Sequence, residues 1–431
     1  MRYILVIMLL VVLGCSKPDN NNFYMPAEWE EHDAVWLGWE DTYLTHHPVA
    51  ANIIKNLVPH VKLKMVVSSD SILRVAKATI SEHGIDTTAL QFHVMPGNRY
   101  WVRDHGAAFL VNDNGELGVA DFEWNAYGMP GWLMEKYDNN PDSLKKKYTS
   151  RLPKILETGR IDSLMGVAEN AKNLKVKVAH EGGAIEVNGK GTLILCEATV
   201  FQRNPELSKE FIESEFMKGL GVTNIIWMKK GLADDPLHFF RRIDGNYVGG
   251  GTGGHTDEFV RFASPTTVLL AWVPEEERDL NPINRMNYER MKENFDILTQ
   301  SKDQDGNAFE IIKVPLPDLI VKEVITRTIP DEDIKTLDVD PSFFKALEAP
   351  KAGDTVLRVP ASSYMNYLVT NGIVLMPSYV AMGSSAAKEE EVKNIMQKQF
   401  PGREIKFIDA MPINWNGGGI HCSTQQQPKV K

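Results

Sequence analysis

Four short polar strings in glycine-rich surroundings contain the residues of this sequence that could do chemistry. They are Trp101–Asp104, His180–Gly183, Gly253–Asp257 and Asn416–Cys422. Glycine permits unusual backbone angles and close approach, so it is a natural neighbour of a crowded pocket. Each string alone is a weak signal. Their repetition at comparable places along the chain is what indicates a site.

Cys422 is the candidate nucleophile of this site. The polar run Ser423–Gln427 follows it, so the cysteine does not belong to an apolar core strand. His255 and Asp257 are two residues apart and would project to the same face of an extended segment. A thiolate beside a histidine is a common route to covalent catalysis on carbon. A lone His-X-Asp is more often a buried histidine beside a surface aspartate, and the cysteine favours the catalytic interpretation.

The carboxylates Asp104, Glu181 and Asp257 predict a cationic substrate. A guanidinium is planar and presents N–H donors in a fork that matches carboxylates. Two aspartates could clamp it with its central carbon facing the sulfur. A cysteine protease has no need of extra carboxylates around its nucleophile. The direction of the pKa shift of Cys422 stays open, because carboxylates raise a thiol pKa and a protonated histidine lowers it.

The strings stand at the starts of recurring strand–strand–helix–strand units. In the clearest copy the strands Ala184–Val187 and Thr192–Cys196 form a hairpin, followed by a helix over Glu206–Gly221 and the strand Val222–Met228. Gly221 is expected to end that helix. Similar units are predicted within Ala34–Ser68, Trp101–Trp124, His255–Val314 and Tyr364–Asp409.

Five such units predict one pseudosymmetric α/β body in which the site residues gather where the repeats converge. Asn125–Leu174 and Thr328–Asp354 fit no unit. They are predicted to be either surface excursions or rim loops over a pocket. Cys196 ends an apolar strand and is expected to be a buried core residue, which leaves Cys422 as a free thiol.

The N-terminus predicts export. Met1–Tyr3 is basic, Ile4–Leu13 is apolar, and small residues follow it, as in a secretory signal. The apolar run is about half of the ~20 residues that a membrane-spanning helix needs. Val12–Cys15 resembles the bacterial lipobox, in which the cysteine carries lipid. An ordinary signal peptide with an incidental cysteine is the alternative.

On the lipoprotein interpretation, residues 1–15 are a signal peptide ending at the lipidated Cys15, residues 16–24 are a tether, and residues 25–431 form the catalytic domain. The protein is then exported and membrane-anchored, in the periplasm or at the cell surface. Its 431 residues have a net charge of −10 and no Lys/Arg block, so nucleic acid is not an expected partner. The protein is expected to contact the membrane only through the lipid anchor. Its oligomeric state is left open.

Together the strings resemble the agmatine deiminase family of guanidino-group modifying enzymes. The resemblance covers nearly the whole mature chain, through Met25–Glu30, Asn98–Gly106, His180–Gly183, Gly254–Asp257, Ser363–Tyr367 and Gly417–Pro428. It implies a single-domain, five-bladed α/β propeller of the pentein type. It also implies a reaction without metal or cofactor on a small cationic guanidine, agmatine or arginine.

The resemblance further implies a role for each site residue. Cys422 would attack the guanidinium carbon, and His255 would protonate the departing ammonia and then activate water. Asp104 and Asp257 would hold the guanidinium, and Glu181 would support His255. Trp101 would pack on the flat or aliphatic part of the substrate, although a core aromatic is an equally good interpretation of that residue.

The substrate is less well determined than the chemistry. Agmatine enzymes carry an acidic residue shortly before the His-X-Asp, which helps to hold the far amine, whereas Gly249–Gly254 contains none. Glu258 and Phe259 instead resemble a string of peptidylarginine deiminases. The leading hypothesis is hydrolysis of agmatine to N-carbamoylputrescine and ammonia, a step of putrescine synthesis. The alternatives are a deiminase of peptidyl-arginine or free arginine, and a non-catalytic lipoprotein that binds cations.

Overall fold

Five sheets repeat one pattern of strand pairing, and a sixth sheet joins strands from residues 241–249 to strands from residues 322–359. The computed structural model describes residues 22–41, 44–137, 152–236, 241–330, 335–344 and 349–431. The strands are β1 (His32–Trp39), β2 (Lys62–Val67), β3 (Leu90–Val94), β4 (Ala108–Val111), β5 (Leu117–Glu123), β6 (Lys172–Ala179), β7 (Glu186–Val187), β8 (Thr192–Cys196), β9 (Asn224–Met228), β10 (Arg241–Asp244), β11 (Tyr247–Gly249), β12 (Val260–Ser264), β13 (Thr267–Trp272), β14 (Glu310–Pro315), β15 (Lys322–Ile325), β16 (Thr355–Val359), β17 (Leu368–Thr370), β18 (Ile373–Ser378), β19 (Glu404–Asp409) and β20 (Thr424–Pro428).

The helices connect these strands. The α-helices are α1 (His47–Leu57), α2 (Asp70–Glu82), α3 (Val102–His105), α4 (Met129–Tyr137), α5 (Leu152–Leu156), α6 (Ile161–Ala168), α7 (Glu197–Arg203), α8 (Lys209–Leu220), α9 (Pro282–Gln300), α10 (Ala386–Gln399) and α11 (Met411–Asn414). Short 3-10 helices span Leu44–His46, Thr87–Ala89, Glu157–Arg160, Gly182–Ala184, Thr256–Glu258, Glu275–Glu277, Pro341–Phe343 and Val380–Met382.

Four sheets have the orders β4-β5-β6, β7-β8-β9, β12-β13-β14 and β17-β18-β19. In each, the first two strands form an antiparallel hairpin and the third is parallel to the second. A parallel neighbour needs a crossover connection, which the intervening helix supplies. The fifth sheet has the order β20-β1-β2-β3, with β20 antiparallel to β1. The last strand of the chain therefore completes the sheet that the first strand begins.

Local signals fix the ends of the helices, and α8 lies within the predicted Glu206–Gly221. Ser208 caps α8 by accepting a hydrogen bond from the backbone N–H of Phe211. Gly221 ends that helix in the left-handed region, at a φ of 66°, which confirms the predicted stop. Asn281 caps α9 and Ser385 caps α10 in the same way as Ser208. Ile212, Phe216 and Leu220 form the face of α8 that is buried.

The core lies between the sheets and these helices. Val268, Leu269, Leu270 and Ala271 of β13 are fully buried. They belong to an apolar cluster that includes residues of α9 and α10. Cys196 is 0% exposed and has no disulfide partner, so its predicted place in the core is confirmed.

The two segments that fit no repeat unit are partly packed into the body. Within Asn125–Leu174, Ile161 and Met165 are fully buried, and residues 138–151 lie outside the described residues. Within Thr328–Asp354, Val339 and Phe344 pack against β11 and β16. The sheet of β10, β11, β16 and β15 was not predicted. Its strands are only three to five residues long and come from distant segments, so no local pattern identified it.

The predicted signal peptide, Cys15 and residues 16–21 of the tether lie outside the described residues and stay predictions. At the end of the predicted tether, Phe23 is buried. Tyr24 exchanges backbone hydrogen bonds with Val111 at 2.9 and 3.0 Å. Among the described residues no helix has the length and apolar character needed to cross a membrane.

Candidate active site

The residues predicted to form the site come together, and each precedes the first strand of a repeat. Asp104 lies in α3 before β4, and Glu181 lies before β7. Asp257 lies in the 3-10 helix before β12, and Cys422 lies before β20. All four are at most 5% exposed. Because the five repeats place this segment at equivalent positions, residues more than 300 positions apart in the sequence surround one space.

Asn366, which precedes β17, orients the sulfur of Cys422. Its Nδ2 donates to Cys422 Sγ at 3.1 Å and to Glu258 Oε1 at 2.9 Å. Its Oδ1 accepts the backbone N–H of His421 at 2.9 Å, which fixes the direction of the amide. The thiol points to Asp257 Oδ2 at 3.4 Å. Neither Asn366 nor Glu258 was predicted to belong to the site, although Asn366 lies in the Ser363–Tyr367 string and Glu258 directly follows Asp257.

The protonation of Cys422, left open by the sequence, follows from its surroundings. Burial raises the pKa of the Cys422 thiol well above its usual value, and the carboxylates of Asp257, Glu258 and Asp104 raise it further. Without a bound cation the sulfur therefore carries its proton.

His255 is fully buried between two carboxylates. Its Nε2 lies 3.2 Å from Glu181 Oε2, and its Nδ1 lies 3.5 Å from Asp104 Oδ1. Burial lowers the pKa of His255, but the two carboxylates outweigh it and raise the pKa to about 9. The ring is therefore an imidazolium at neutral pH and is ready to act as an acid.

Arg203 holds Glu181 in its ionised form. The Arg203 Nε lies 2.9 and 3.2 Å from the two carboxylate oxygens. Burial raises the pKa of Glu181, but Arg203 and the hydrogen bond with His255 bring it down to about 2. Arg203 lies at the end of α7, and nothing in the local sequence marked it as part of the site.

The two aspartates have different environments. Asp104 accepts hydrogen bonds from the Tyr127 hydroxyl at 2.8 Å and the Gly183 N–H at 3.2 Å, and burial raises its pKa to about 6. Asp257 Oδ2 lies 2.7 Å from His421 Nδ1. Burial raises the pKa of Asp257, but His421 outweighs it, so the pKa lies below its usual value. Asp257 Oδ1 is buried without a hydrogen-bond partner among the described residues.

The absence of a side chain at Gly183 lets these groups approach its backbone closely. A Cβ on this residue would lie 2.6 Å from His255 Nδ1, 2.7 Å from Asp104 Oδ1 and 3.1 Å from Asp257 Oδ2. Any side chain would therefore enter the point where the imidazole and both aspartates converge. This is the physical reason for glycine in the His180–Gly183 string.

Tyr127 and Trp101 border the site. Tyr127 belongs to the Asn125–Leu174 segment and has a φ of 62°, a strained value for a non-glycine residue. The hypothesis that this segment contributes to the rim of a pocket thus gains a specific contact, its hydroxyl on Asp104. The Trp101 indole is partly exposed, and a Cβ on Gly418 would lie 2.7 Å from its ring.

Asp235 organises the glycine tract in front of His255. Its carboxylate accepts backbone N–H groups from Gly254 at 2.8 Å, His255 at 3.1 Å and Gly253 at 3.2 Å, and it also bonds Thr252. This acid comes from outside the tract and is occupied by the main chain. It therefore positions His255 and is not free to hold a substrate amine.

One group of potential metal ligands overlaps the site. The ligand atoms of Asp257, Glu258 and Cys422 lie within 4.8 Å of one another. Hydrogen bonds with His421 and Asn366 already engage Asp257 Oδ2 and the Cys422 sulfur. The expectation of a metal-free reaction stays a prediction.

Comparison with known proteins agrees with this geometry. The family model of Porphyromonas-type peptidyl-arginine deiminases matches residues 24–428. The chain is 30% identical to an agmatine deiminase of Medicago truncatula over 96% of this chain and 99% of the relative. It is 28% identical to an agmatine deiminase of Stutzerimonas stutzeri, over 96% and 97% of the two chains.

Solved structures share the fold. An agmatine deiminase of Enterococcus faecalis superposes with a TM-score of 0.71 at 24% identity, covering 95% of this chain and 97% of that one. A C. jejuni agmatine deiminase with substrate bound superposes with a TM-score of 0.64 at 18% identity, over 95% and 96%. The chain therefore belongs to the Porphyromonas-type peptidyl-arginine deiminase family, among whose relatives are the agmatine deiminases, and it is a hydrolase of amidine C–N bonds.

Proposed function

We propose that the protein hydrolyses a guanidinium group through a covalent intermediate on Cys422, with agmatine as its leading substrate. The observation that carries the proposal is the convergence of one thiol, one imidazole and two aspartates around Gly183. The His255 imidazolium faces Asp104, whereas Asp257 Oδ1 is buried without a hydrogen-bond partner among the described residues. A guanidinium would bring N–H donors that match these carboxylates.

Binding of the cation prepares the sulfur for attack. Asp104 and Asp257 hold the guanidinium N–H groups, and its positive charge then faces Cys422. A unit charge about 4 Å from the sulfur is worth roughly 4 kcal/mol at an effective dielectric constant of 20, or about 3 pKa units. The bound substrate thus offsets the carboxylates that raise the pKa of Cys422 in the empty site.

The first half of the reaction forms an amidino-thioether. As the cation binds, the Cys422 thiol releases its proton to solvent, and the thiolate attacks the guanidinium carbon and forms an S–C bond. A terminal C–N bond then breaks, and the leaving nitrogen takes a proton from His255 and departs as ammonia. Glu181 stabilises the imidazolium of His255 before this transfer.

The second half releases the product. His255, now neutral, removes a proton from a water molecule, and the oxygen attacks the same carbon. The S–C bond breaks, the sulfur leaves as thiolate, the hydroxyl group loses its remaining proton to solvent, and a ureido group is released. The sum is one guanidinium and one water converted to one urea derivative and one ammonium ion.

Agmatine is the leading substrate because the similar curated relatives are agmatine deiminases. A specific observation favours arginine, free or in a peptide. The acid nearest to Gly249–Gly254, Asp235, binds backbone N–H groups and is not available for the far amine of agmatine. The name of the family that matches the chain points the same way.

The test is release of ammonia and ureido product by the purified full-length protein from agmatine, arginine and an arginyl peptide. Turnover confined to agmatine would support the leading proposal. Turnover confined to arginine or the peptide would keep the mechanism and replace the substrate. A folded protein that binds all three without turnover would support instead the non-catalytic, cation-binding alternative.

We also propose that the five repeats are the blades of a pseudosymmetric propeller around the site. Two facts support this: the repeated hairpin-plus-parallel-strand pairing, and the completion of the first sheet by β20. A crystal structure of the protein would test this arrangement of the five repeats. Superposed repeats should be related by rotations of about one fifth of a turn around an axis through the site.

We further propose that Cys15 anchors the protein to a membrane. The lipobox-like string Val12–Cys15 supports this. Labelling of cells with a radioactive fatty acid should mark the wild-type protein and not a Cys15→Ser variant. Equal labelling, or recovery of both proteins without a membrane extract, would refute the anchor.

A further inference from the structure

A buried row of charged side chains lies directly behind the candidate site and ends at Asp257. His421, the residue before the nucleophile, has Nδ1 2.7 Å from Asp257 Oδ2 and Nε2 2.8 Å from Glu28 Oε1. All three side chains are buried. Glu28 belongs to the Met25–Glu30 string, and neither it nor His421 has a part in the proposed reaction.

Two protons are needed in this row. Each contact is short enough for a hydrogen bond, and each bond needs a proton of its own. A neutral imidazole carries only one N–H, and its other nitrogen would turn a lone pair toward an ionised carboxylate. The row Glu28–His421–Asp257 therefore contains a second proton, on the ring or shared with a carboxyl group.

Arginines support the far end of the row. Glu28 accepts hydrogen bonds from Arg103 Nη1 at 2.9 Å, from Gln426 Nε2 at 3.0 Å and from Arg261. Burial raises the pKa of Glu28, but Arg261, His421 and Arg103 outweigh it, so the pKa lies well below its usual value. These contacts favour the ionised form of Glu28.

The other charges that face the ring act in opposite directions. Burial and the guanidiniums of Arg103 and Arg261 lower the pKa of His421, and they outweigh Glu28 and Asp257, which raise it, so the pKa lies below its usual value. The second proton is therefore inferred from the two short contacts of the ring and not from its pKa. Arg103 also donates its backbone N–H to the Cys422 carbonyl at 3.2 Å and its Nε to the His421 carbonyl at 3.3 Å. The same cation thus holds the row and the backbone at the nucleophile.

We infer that Glu28 and His421 are positioning residues, which hold Asp257 with one oxygen bound and the other presented to the guanidinium. This rests on the proposed function, since it gives Asp257 the role of a substrate ligand. His421 occupies Oδ2, and Oδ1 has no hydrogen-bond partner among the described residues. His421 is held in turn by Glu28, which Arg103 and Arg261 fix in place. This chain of contacts prevents the Asp257 carboxylate from rotating.

The proton count is tested without substrate. Full-length protein with 15N-labelled histidine rings should give two far-downfield proton signals from the His421 ring contacts at pH 7, both absent from His421→Gln. His32 is an internal control, because it is buried near Glu28 but bonds the Thr370 hydroxyl at 2.9 Å, and burial lowers its pKa to about 4. It should give one ring proton. A single proton in the His421 contacts would overturn the inference.

The effect on Asp257 is tested by measuring KM and kcat separately at pH 7 and above. His421→Gln removes a hydrogen bond that orients Asp257, so kcat/KM should fall about 10- to 150-fold, chiefly through KM. The loss should be the same at each pH, because the pKa of Asp257 lies below its usual value and a rise of about 1–2 units leaves Asp257 ionised. Glu28→Gln should raise KM in the same way by less. His32→Gln should leave KM unchanged.

The outcomes separate this inference from the proposed function. Turnover with a KM that neither His421→Gln nor Glu28→Gln raises would overturn the positioning role and leave the reaction standing. If His421→Gln does not fold, the proton count in the wild type and the KM of Glu28→Gln decide. If no guanidine is turned over, the proposed function fails, and the proton count still decides whether the row is built as inferred.

Discussion

Replacement of Tyr127 by phenylalanine should move the acid limb of activity toward higher pH. The Tyr127 hydroxyl donates to Asp104 Oδ2 at 2.8 Å, and Asp104 has a pKa of about 6. In the proposed mechanism Asp104 must be ionised to hold the guanidinium. The hydroxyl stabilises the ionised form, so its removal raises the pKa of Asp104 and reduces the ionised fraction at neutral pH.

The size of the effect follows from one hydrogen bond to a charged group, about 1.5–3 kcal/mol, or about 1–2 pKa units. The pKa of Asp104 would rise from about 6 to roughly 7–8. The ionised fraction at pH 7 would then fall from about nine tenths to between roughly one half and one tenth. We therefore expect kcat/KM to fall about 2- to 10-fold at pH 7 and to recover near pH 8.5.

The assay is ammonia release at low substrate concentration between pH 5 and pH 9. Tyr288→Phe is the matched control, because Tyr288 also donates to a carboxylate, Glu275, but at an exposed place on α9. The Tyr288 variant should have the wild-type profile. A Tyr127→Phe enzyme whose activity is reduced equally at every pH would refute the reasoning, since it would point to lost packing and not to a change in the pKa of Asp104.

Three further predictions follow from the same structure. Cys422→Ala should abolish turnover but still bind the guanidinium by calorimetry; residual turnover would exclude the covalent mechanism. Glu181→Gln removes a carboxylate that raises the pKa of His255 to about 9. The basic limb of kcat/KM should therefore move to lower pH by about 1–2 units. An unmoved basic limb would contradict the pKa assigned to His255. Burial and Asp121 raise the pKa of Asp162 to about 8, so the native state binds more protons than the unfolded state between about pH 4 and pH 8. Wild-type stability should fall with pH across this window, and the gain in Tm of Asp162→Asn over wild type should grow from pH 5 to pH 8.

The segments that bear the chemistry could be found from the sequence because their signals are local. A histidine two residues from an aspartate, a thiol in a polar run and glycines beside charged residues are all visible without a fold. Helix ends such as Gly221 and hairpin turns such as Asn371–Gly372 are local as well, since they depend on the backbone angles of one or two residues. These signals predicted the repeat units and five of the groups that meet at the site, which are Asp104, Glu181, His255, Asp257 and Cys422.

The residues that tune those groups could not be found in this way. Arg203, Tyr127 and Asp235 lie in a helix end, a loop and an extended stretch, with no pattern that distinguishes them from surface polar residues. Their significance arises only when Arg203 meets Glu181, Tyr127 meets Asp104, and Asp235 meets the glycine tract.

The sequence by itself therefore determined which chemistry is available, because side-chain type and local backbone preference are properties of single residues and their neighbours. Only the tertiary structure decided the charge states. A pKa depends on burial and on charges a few ångströms away, and those charges come from segments distant in the sequence. Thus the pKa of Cys422 is raised, that of His255 is about 9 and that of Glu181 is about 2, although all three lie in equally polar strings.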